Sequence, residues 1–308
     1  QIIPQDGIMS YIYEKVKMNN RTRYLSLCSY LKEKHKIIVK DILPEENKPF
    51  SKIFFPDKKE FHLSDLLNLE TKKLFTAALV AQIEADDIIE EYLNEFSFPS
   101  ETSRKVTKVA LLNYTGAAII MPYEIFFHEC VKKHRYDLEL LQSTFAVSFE
   151  QVCHRVTCLN NPNPKLRGIP LHMIRVDRSG NVSKRFSLSG IELPRLSGAC
   201  PKWNVYSSFS NPGKISAAVS RMTDGEKYVC IARTVEKGIS KYGEEKGLLS
   251  IGLGCQIKYA KDFVYADGLN LNDEKTESKI GVSCRKCDRL NCSQRAFPPD
   301  TQNYDVNI

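Results

Sequence analysis

Cys284-Arg-Lys-Cys287-Asp-Arg-Leu-Asn-Cys292 places three thiols within nine residues, close to the C-terminal end of the chain. A Cys-x2-Cys pair lets two sulfurs converge, and a third thiol shortly after makes a three-ligand cup suited to a bound metal. A structural zinc knuckle brings two such pairs to close a tetrahedron, and no second Cys-x2-Cys occurs in this sequence. The fourth ligand must then come from a distance. Cys255, in Gly252-Leu-Gly-Cys255, is favoured, because flanking glycines let backbone approach a bulky cluster; Cys200, in Ser197-Gly-Ala-Cys-Pro201, is second. Arg285, Lys286, Arg289 and Arg295 surround the run and would offset the negative charge of a cysteine-bound iron–sulfur cluster. Iron–sulfur is the first reading of this spacing, zinc the second and unmetallated thiols the third.

A second constellation is the basic hairpin of Arg175, Arg178, Ser183, Lys184 and Arg185. Strand alternation sends Lys184 and Arg185 to opposite faces, so one can reach a phosphate-bearing ligand while the other meets solvent or a carboxylate. The blander reading is a solvated hairpin. Trp203, the only tryptophan, suits a core better than a stacking platform. Two leads are set aside. The helical pair at 135–159 has helix-turn-helix spacing, but Phe149, Glu150 and Gln151 open its second helix, and an acidic residue facing phosphates is unfavourable. His128-Glu129 is followed by His134, and imidazoles six apart do not share a helix face as His-Glu-x2-His requires.

The elements that must position these groups follow from periodicity. Helices are expected over 8–38, 63–95 and 100–121, with a loop carrying Pro44, Pro49 and Pro56 between the first two. Leu74, Phe75, Ala78, Leu79 and Ile83 form a buried stripe, and Asp86, Asp87, Glu90 and Glu91 a solvated acidic face. Val106, Val109, Ala110, Asn113, Ala117 and Ile120 mark the buried side of the next helix. Ser148 and Gln151 make a capping box that starts the second helix of the 135–159 pair. Beyond Asn160-Asn-Pro-Asn-Pro164 the period changes. Residues 171–176, 182–188, 228–235 and 248–257 read as strands, with a hairpin turn at Asp177–Asn181 and one helix after Asn211-Pro-Gly. The fold class is α+β: a helical region at 1–160, a small antiparallel-sheet region at 161–275 and a cysteine-rich segment at 276–308.

Composition is globular, 42% hydrophobic and 26% charged, and the net charge of +7 suits anionic ligands without requiring nucleic acid. Seven of the ten cysteines are scattered through the chain, and neither a cleavable signal nor an apolar run of about twenty residues occurs. A reduced, cytoplasmic protein with no membrane partner is expected. The chain opens on Gln1 and enters helical text almost at once, as a piece cut from a longer protein would.

The motifs together resemble a family. Met-Pro-Tyr (121–123), Arg135-Tyr-Asp137, Val147-Ser-Phe-Glu-Gln-Val152, Arg175-Val-Asp-x2-Gly-Asn-x-Ser-Lys-Arg185 and Cys200-Pro-x-Trp-Asn204 look like the short-chain fatty-acid regulators of bacteria. So do Asp224-Gly225, Gly252-Leu-Gly-Cys255, Val264-Tyr-x-Asp-Gly-Leu269 and Ile280-Gly-x2-Cys-Arg-x-Cys-x-Arg-x2-Cys-x-Gln-Arg-Ala-Phe-Pro-Pro299. The resemblance implies a Cro/repressor-type DNA-binding domain upstream of these residues, an ImmA/IrrE-like middle part and a C-terminal sensor region. It also implies transcriptional control of propionate, acetate or glyoxylate-linked metabolism by a homo-oligomer, a dimer or tetramer. Its implied effectors are CoA or short acyl-CoA, with a 4Fe–4S cluster on the C-terminal cysteines Cys284, Cys287 and Cys292, the fourth ligand being Cys255 or Cys200. DNA would be reached only through the upstream helix-turn-helix, which this chain lacks, and the chain itself would not be an enzyme. Leu79-Val-Ala-Gln-Ile83 stands where the related peptidases carry His-Glu-x2-His, so the peptidase frame is expected without its chemistry. For the effector, Arg175, Lys184 and Arg185 are candidate phosphate contacts, with Lys15 a fourth. Tyr114, Tyr123 and Trp203 are candidates to line an acyl–pantetheine slot.

Overall fold

The computed structural model describes Glu14, Val16 and residues 23–45, 49–194, 198–238, 243 and 245–300. Two compact units emerge. The first comprises Gln1–Glu129, Glu139–Gln151 and Gly238–Glu245; the second comprises Cys130–Leu138, Val152–Lys237 and Lys246–Ile308.

In the first unit, α1 (Arg23–His35) leads into three short strands, β1 (Ile38–Ile42), β2 (Lys52–Phe55) and β3 (Glu60–Ser64). They form a sheet in the order β1-β3-β2, with β1 parallel and β2 antiparallel to β3. The proline-punctuated stretch expected as a loop is therefore a sheet. Its strands are four or five residues long and rich in charge, which hides alternation, and the β2–β3 turn closes through a positive-φ Lys59 and a Lys59 N–H donated to the Pro56 carbonyl.

Two long helices follow, α2 (Leu69–Asn94) and α3 (Glu101–Ile120). Asn68 caps α2 by accepting from the Thr71 N–H, and Ser100 with Ser103 makes a capping box for α3. The pair approach closely at Gly116, where a Cβ would lie 2.7 Å from the Ala78 backbone nitrogen. Part of the expected acidic face serves this contact: Lys108 reaches Asp86 at 2.8 Å and Glu90 at 2.5 Å, and Arg104 reaches Glu90 at 2.5 Å. The expected apolar stripe of α3 is corrected as well. Val106 and Val109 are exposed, and burial begins at Thr115 and Gly116.

After α4 (Tyr123–Phe127) and a π-helical turn at His128–Lys133 come α5 (Leu138–Phe145) and α6 (Phe149–Thr157). Ala146 takes positive φ between them, and the Ser148–Gln151 box forms as the sequence predicts. The carbonyl of Phe145, at the end of α5, accepts from both Arg23 and Lys73, two buried cations. A helix C-terminus favours positive charge, so these side chains lock α5 in place.

The second unit is built on a six-stranded sheet, β5-β4-β8-β7-β6-β9. Its strands are β4 (Leu171–Asp177), β5 (Val182–Ser187), β6 (Ser216–Arg221), β7 (Lys227–Glu236), β8 (Leu248–Gln256) and β9 (Ser278–Lys279). All pairs are antiparallel except β9 with β6. The Asp177–Asn181 hairpin forms, while the helix expected after Asn211-Pro-Gly is strand β6 instead. A one-turn helix, α7 (Asn204–Ser207), lies against the sheet: Asn204 Nδ2 donates to the Cys230 carbonyl at 3.1 Å, and Gly252 lacks the Cβ that would strike Val205. The core of this unit gathers Ile174, Val176, Trp203, Val205, Cys230 and Ile280.

Candidate metal centre

The cysteine run has little regular structure of its own, so side chains must fix it. It begins at β9, anchored to β6 through Ser220 and Ser278 and continued by an Ile280 N–H donated to the Arg221 carbonyl at 2.9 Å. Just before β9, the fully buried carboxylate of Glu277 pairs with Arg221 Nε at 2.6 Å and with Lys227. These cations hold its carboxyl below the usual range against the desolvation that would raise it. Ile280 and Val282 then enter the core, so the chain arrives at Cys284 already oriented.

Two guanidinium groups fold the loop. Arg295 donates from Nη1 to the carbonyls of Cys284 and Phe297, both at 3.0 Å, and from Nη2 to those of Cys287 and Arg289, at 2.9 and 2.6 Å. Arg289 Nη2 donates to the Met222 carbonyl at 2.8 Å, tying the loop to the end of β6. A planar fork with five N–H groups can satisfy several carbonyls at once, which a lysine cannot. Arginines expected to neutralise a cluster therefore also serve as backbone clamps. Lys286 and Arg285 pair instead with Glu192 at 3.0 Å and Asp300 at 3.6 Å.

This scaffold brings Cys284, Cys287 and Cys292 to one cleft, and the fourth thiol there is that of Cys200. Backbone N–H groups point at the sulfurs. Ala296 N lies 3.4 Å from Cys284 Sγ, and Gly281 and Lys202 direct theirs at Cys200, opposing the burial that raises its pKa. Such donors favour a thiolate. Gly281 is the glycine that permits close approach, since a Cβ there would lie 2.9 Å from Cys287 Sγ. Among the described residues no group of three or more His, Cys, Asp or Glu side chains is arranged to hold a metal ion.

Cys255, favoured from the sequence, lies elsewhere. It sits at the centre of the sheet, in register with Leu171 and Val229, and burial pushes its thiol up to about 12. The glycines beside it serve packing. A Cβ on Gly254 would meet the His172 ring, and one on Gly252 would meet Ile174 and Val205. His172 itself is buried against Ser189 and Cys230, with its pKa lowered to about 3 by desolvation, so it stays neutral.

Within the second unit, Arg175, Lys184, Arg185 and Trp203 do not share one face. Arg175 and Lys184 face each other across the hairpin, while Arg185 pairs with Ile174 on the other face and donates to the Pro194 carbonyl at 2.8 Å. Trp203 is closed inside the core, its indole hydrogen-bonded to the Cys230 thiol, so it lines no open slot. Tyr123 is buried and stacked on Phe127, and Tyr114 is half-buried on α3, both in the first unit. Lys15 lies outside the described residues. Sequence reasoning did not foresee a second cavity beside the thiols, of about 230 Å³, lined by Arg178, Tyr206, Cys284, Arg285 and Phe297. Arg178 belongs to the basic hairpin, but only the folded chain sets the hairpin turn next to the cysteines.

The first unit is of mixed α/β type, with Leu79-Val-Ala-Gln-Ile83 on α2, and the second is a sheet-based unit with a thiol cleft. Residues 43–157 match the IrrE N-terminal-like domain, and residues 158–308 match the C-terminal region of the short-chain fatty acyl coenzyme A regulators. The HTH-type transcriptional regulator RamB of Mycobacterium tuberculosis is 42% identical over 233 residues, 75% of this chain and 48% of RamB. The HTH-type transcriptional regulator PrpR of the same organism is 35% identical over 85% of this chain and 53% of its own length. A propionyl-CoA carboxylase regulator of Cereibacter sphaeroides is 38% identical over 71% of this chain and 47% of its own. A solved Mycobacterium tuberculosis transcriptional regulator superposes with a TM-score of 0.89 at 31% identity, covering 98% of this chain and 90% of that one. The chain belongs to the short-chain fatty acyl coenzyme A regulator family, and it spans about half the length of the curated relatives it matches. Among the described residues no single helix is long and apolar enough to cross a membrane.

Proposed function

We propose that this chain is the sensor and oligomerisation portion of a transcriptional regulator of short-chain fatty-acid metabolism, binding CoA or a short acyl-CoA and carrying a 4Fe–4S cluster on Cys200, Cys284, Cys287 and Cys292. The observation that carries this reading is the gathering of four thiols from two distant segments in one cleft with N–H donors on two of the sulfurs. When bound, the cluster would cross-link the Cys200 loop to the C-terminal segment. Arg178 and Arg285, beside Cys284, are suited to the phosphates of an acyl-CoA. Loop and ligand site are then adjacent, so ordering one would favour the other, and the effector would act by shifting the population of a homo-oligomeric assembly. DNA contact belongs to a helix-turn-helix outside this chain. A peptidase reading is disfavoured, because Leu79 and Ile83 offer no metal ligand.

Anaerobic purification with visible spectroscopy, iron and zinc analysis and calorimetry with propionyl-CoA tests the proposal. The native protein should be brown and bind the thioester, and Cys287→Ala should lose colour and binding together. Colourless protein carrying one zinc would overturn the cluster. Undiminished thioester binding by Cys287→Ala would overturn the coupling.

A further inference from the structure

The six-stranded sheet ends on β5, which has β4 on one side and no strand on the other. The Leu188 N–H donates to the carbonyl of Leu171, the residue opposite it in register. Hydrogen-bonded pairs alternate from there along an antiparallel ladder, so Phe186 and Lys184 turn their backbone groups to β4. Arg185 and Ser187 turn theirs to the free edge, and among the described residues neither makes a backbone hydrogen bond there. Residues 191–194 return past the strand but are held by side chains. Ser187 Oγ donates to the Ile191 carbonyl at 3.0 Å, and Arg185 Nη1 to that of Pro194 at 2.8 Å. Side chains two apart share a face of the sheet, so this segment covers one face of β5 and leaves its edge open.

An open row of amides and carbonyls is a template for a further strand. A groove of about 540 Å³ lies beside it, lined by Arg185, Phe186, Ile191, Glu192, Leu193 and Lys286. Phe186 and Leu188, both 39% exposed, add an apolar shelf. Charge selects the occupant. Lys184 and Arg185 are adjacent in β5, which has no acidic residue. An antiparallel self-pairing centred on this strand would set Lys184 or Arg185 against a cation of the second copy, which is destabilising. The Arg185 guanidinium meets no carboxylate among the described residues, and Glu192, the only one lining the groove among them, is already paired with Lys286 at 3.0 Å. A strand with two adjacent acidic residues presents one carboxylate to each face and so answers both cations. An apolar residue just before them then packs on Phe186. We propose that the β5 edge takes up an extended segment of another protein by antiparallel strand addition, with the pattern apolar-acidic-acidic. This surface rests on neither the cluster nor the acyl-CoA reading.

Fluorescence anisotropy of the full chain with the labelled peptide Thr-Val-Glu-Glu-Thr-Val-Thr tests the assignment. The same peptide with lysine in place of glutamate should bind at least about tenfold more weakly, as loss of one charge-assisted contact predicts. N-methylation at successive peptide bonds should abolish binding at every second position and spare the positions between, because only alternate amides face the sheet. Ser187→Pro removes an outward amide without changing charge and should abolish binding, with circular dichroism confirming the fold. Arg185→Glu should weaken the acidic peptide about tenfold and strengthen the lysine peptide. Absence of binding by the acidic peptide at millimolar concentration, or N-methyl effects without alternation, would overturn strand addition. A dimer in sedimentation that Ser187→Pro dissociates would give the edge to a second copy instead. Displacement of the peptide by duplex DNA would overturn the acidic segment as its occupant.

Discussion

The two units solve opposite problems. In the first, a regular frame of three strands and two long helices borders a cleft lined by Leu79 and Phe75, with lysines supplying its charge. In the second, four thiols gather where there is almost no regular structure, and Arg295, Arg289 and Glu277 do the positioning that helices do elsewhere. Comparing them shows that frame and chemistry are separable. A fold can outlast its donor set, and a donor set can be assembled by side-chain clamps on a loop. The cost falls differently. The first site is rigid through backbone packing, whereas the second depends on charged groups and would be ordered further by whatever the thiols bind.

The largest expected contrast lies between two cysteines that look equivalent in the sequence. Cys200→Ser should abolish the visible chromophore of anaerobically purified protein, and Cys255→Ala should leave it intact, as read by absorbance and iron content. The reverse result would move the fourth ligand into the sheet and erase the distinction between the units. A smaller effect is expected where the first unit depends on backbone contact. Gly116→Val places a Cβ within 3.0 Å of both Ala78 N and Cα, which cannot yield as a flexible side chain can. It should destabilise the protein by about 1–3 kcal/mol in urea titration, with chromophore content unchanged. Lys73 offers the finest probe. Burial, with Arg23 nearby, lowers its ammonium from 10.5 to about 8. Between those values the unfolded chain binds more protons than the folded one, so stability should rise as pH increases through the window. Lys73→Met should remove that rise, by at most about 1.4 kcal/mol per pH unit, measured as the difference between the two unfolding profiles.

Much of the frame was legible before folding. The Ser100 start of α3, the Ser148–Gln151 box and the Asp177–Asn181 hairpin are local signals, satisfied by residues three or four apart. The β1–β3 sheet was not, because its strands are too short and charged to show a period, and β6 was read as helix because Ser216-Ala-Ala-Val-Ser-Arg221 has no strong alternation. Val106 and Val109 fit a helical stripe, yet they lie on the part of α3 that stays exposed.

The chain alone determined that Cys284, Cys287 and Cys292 lie near one another, because three thiols within nine residues stay close in any compact conformation. Folding alone decided which remote sulfur shares their cleft. Cys200 and Cys255 stand equally apart in type from the cup, and only the burial of one inside β8 and the docking of the other beside Gly281 tell them apart.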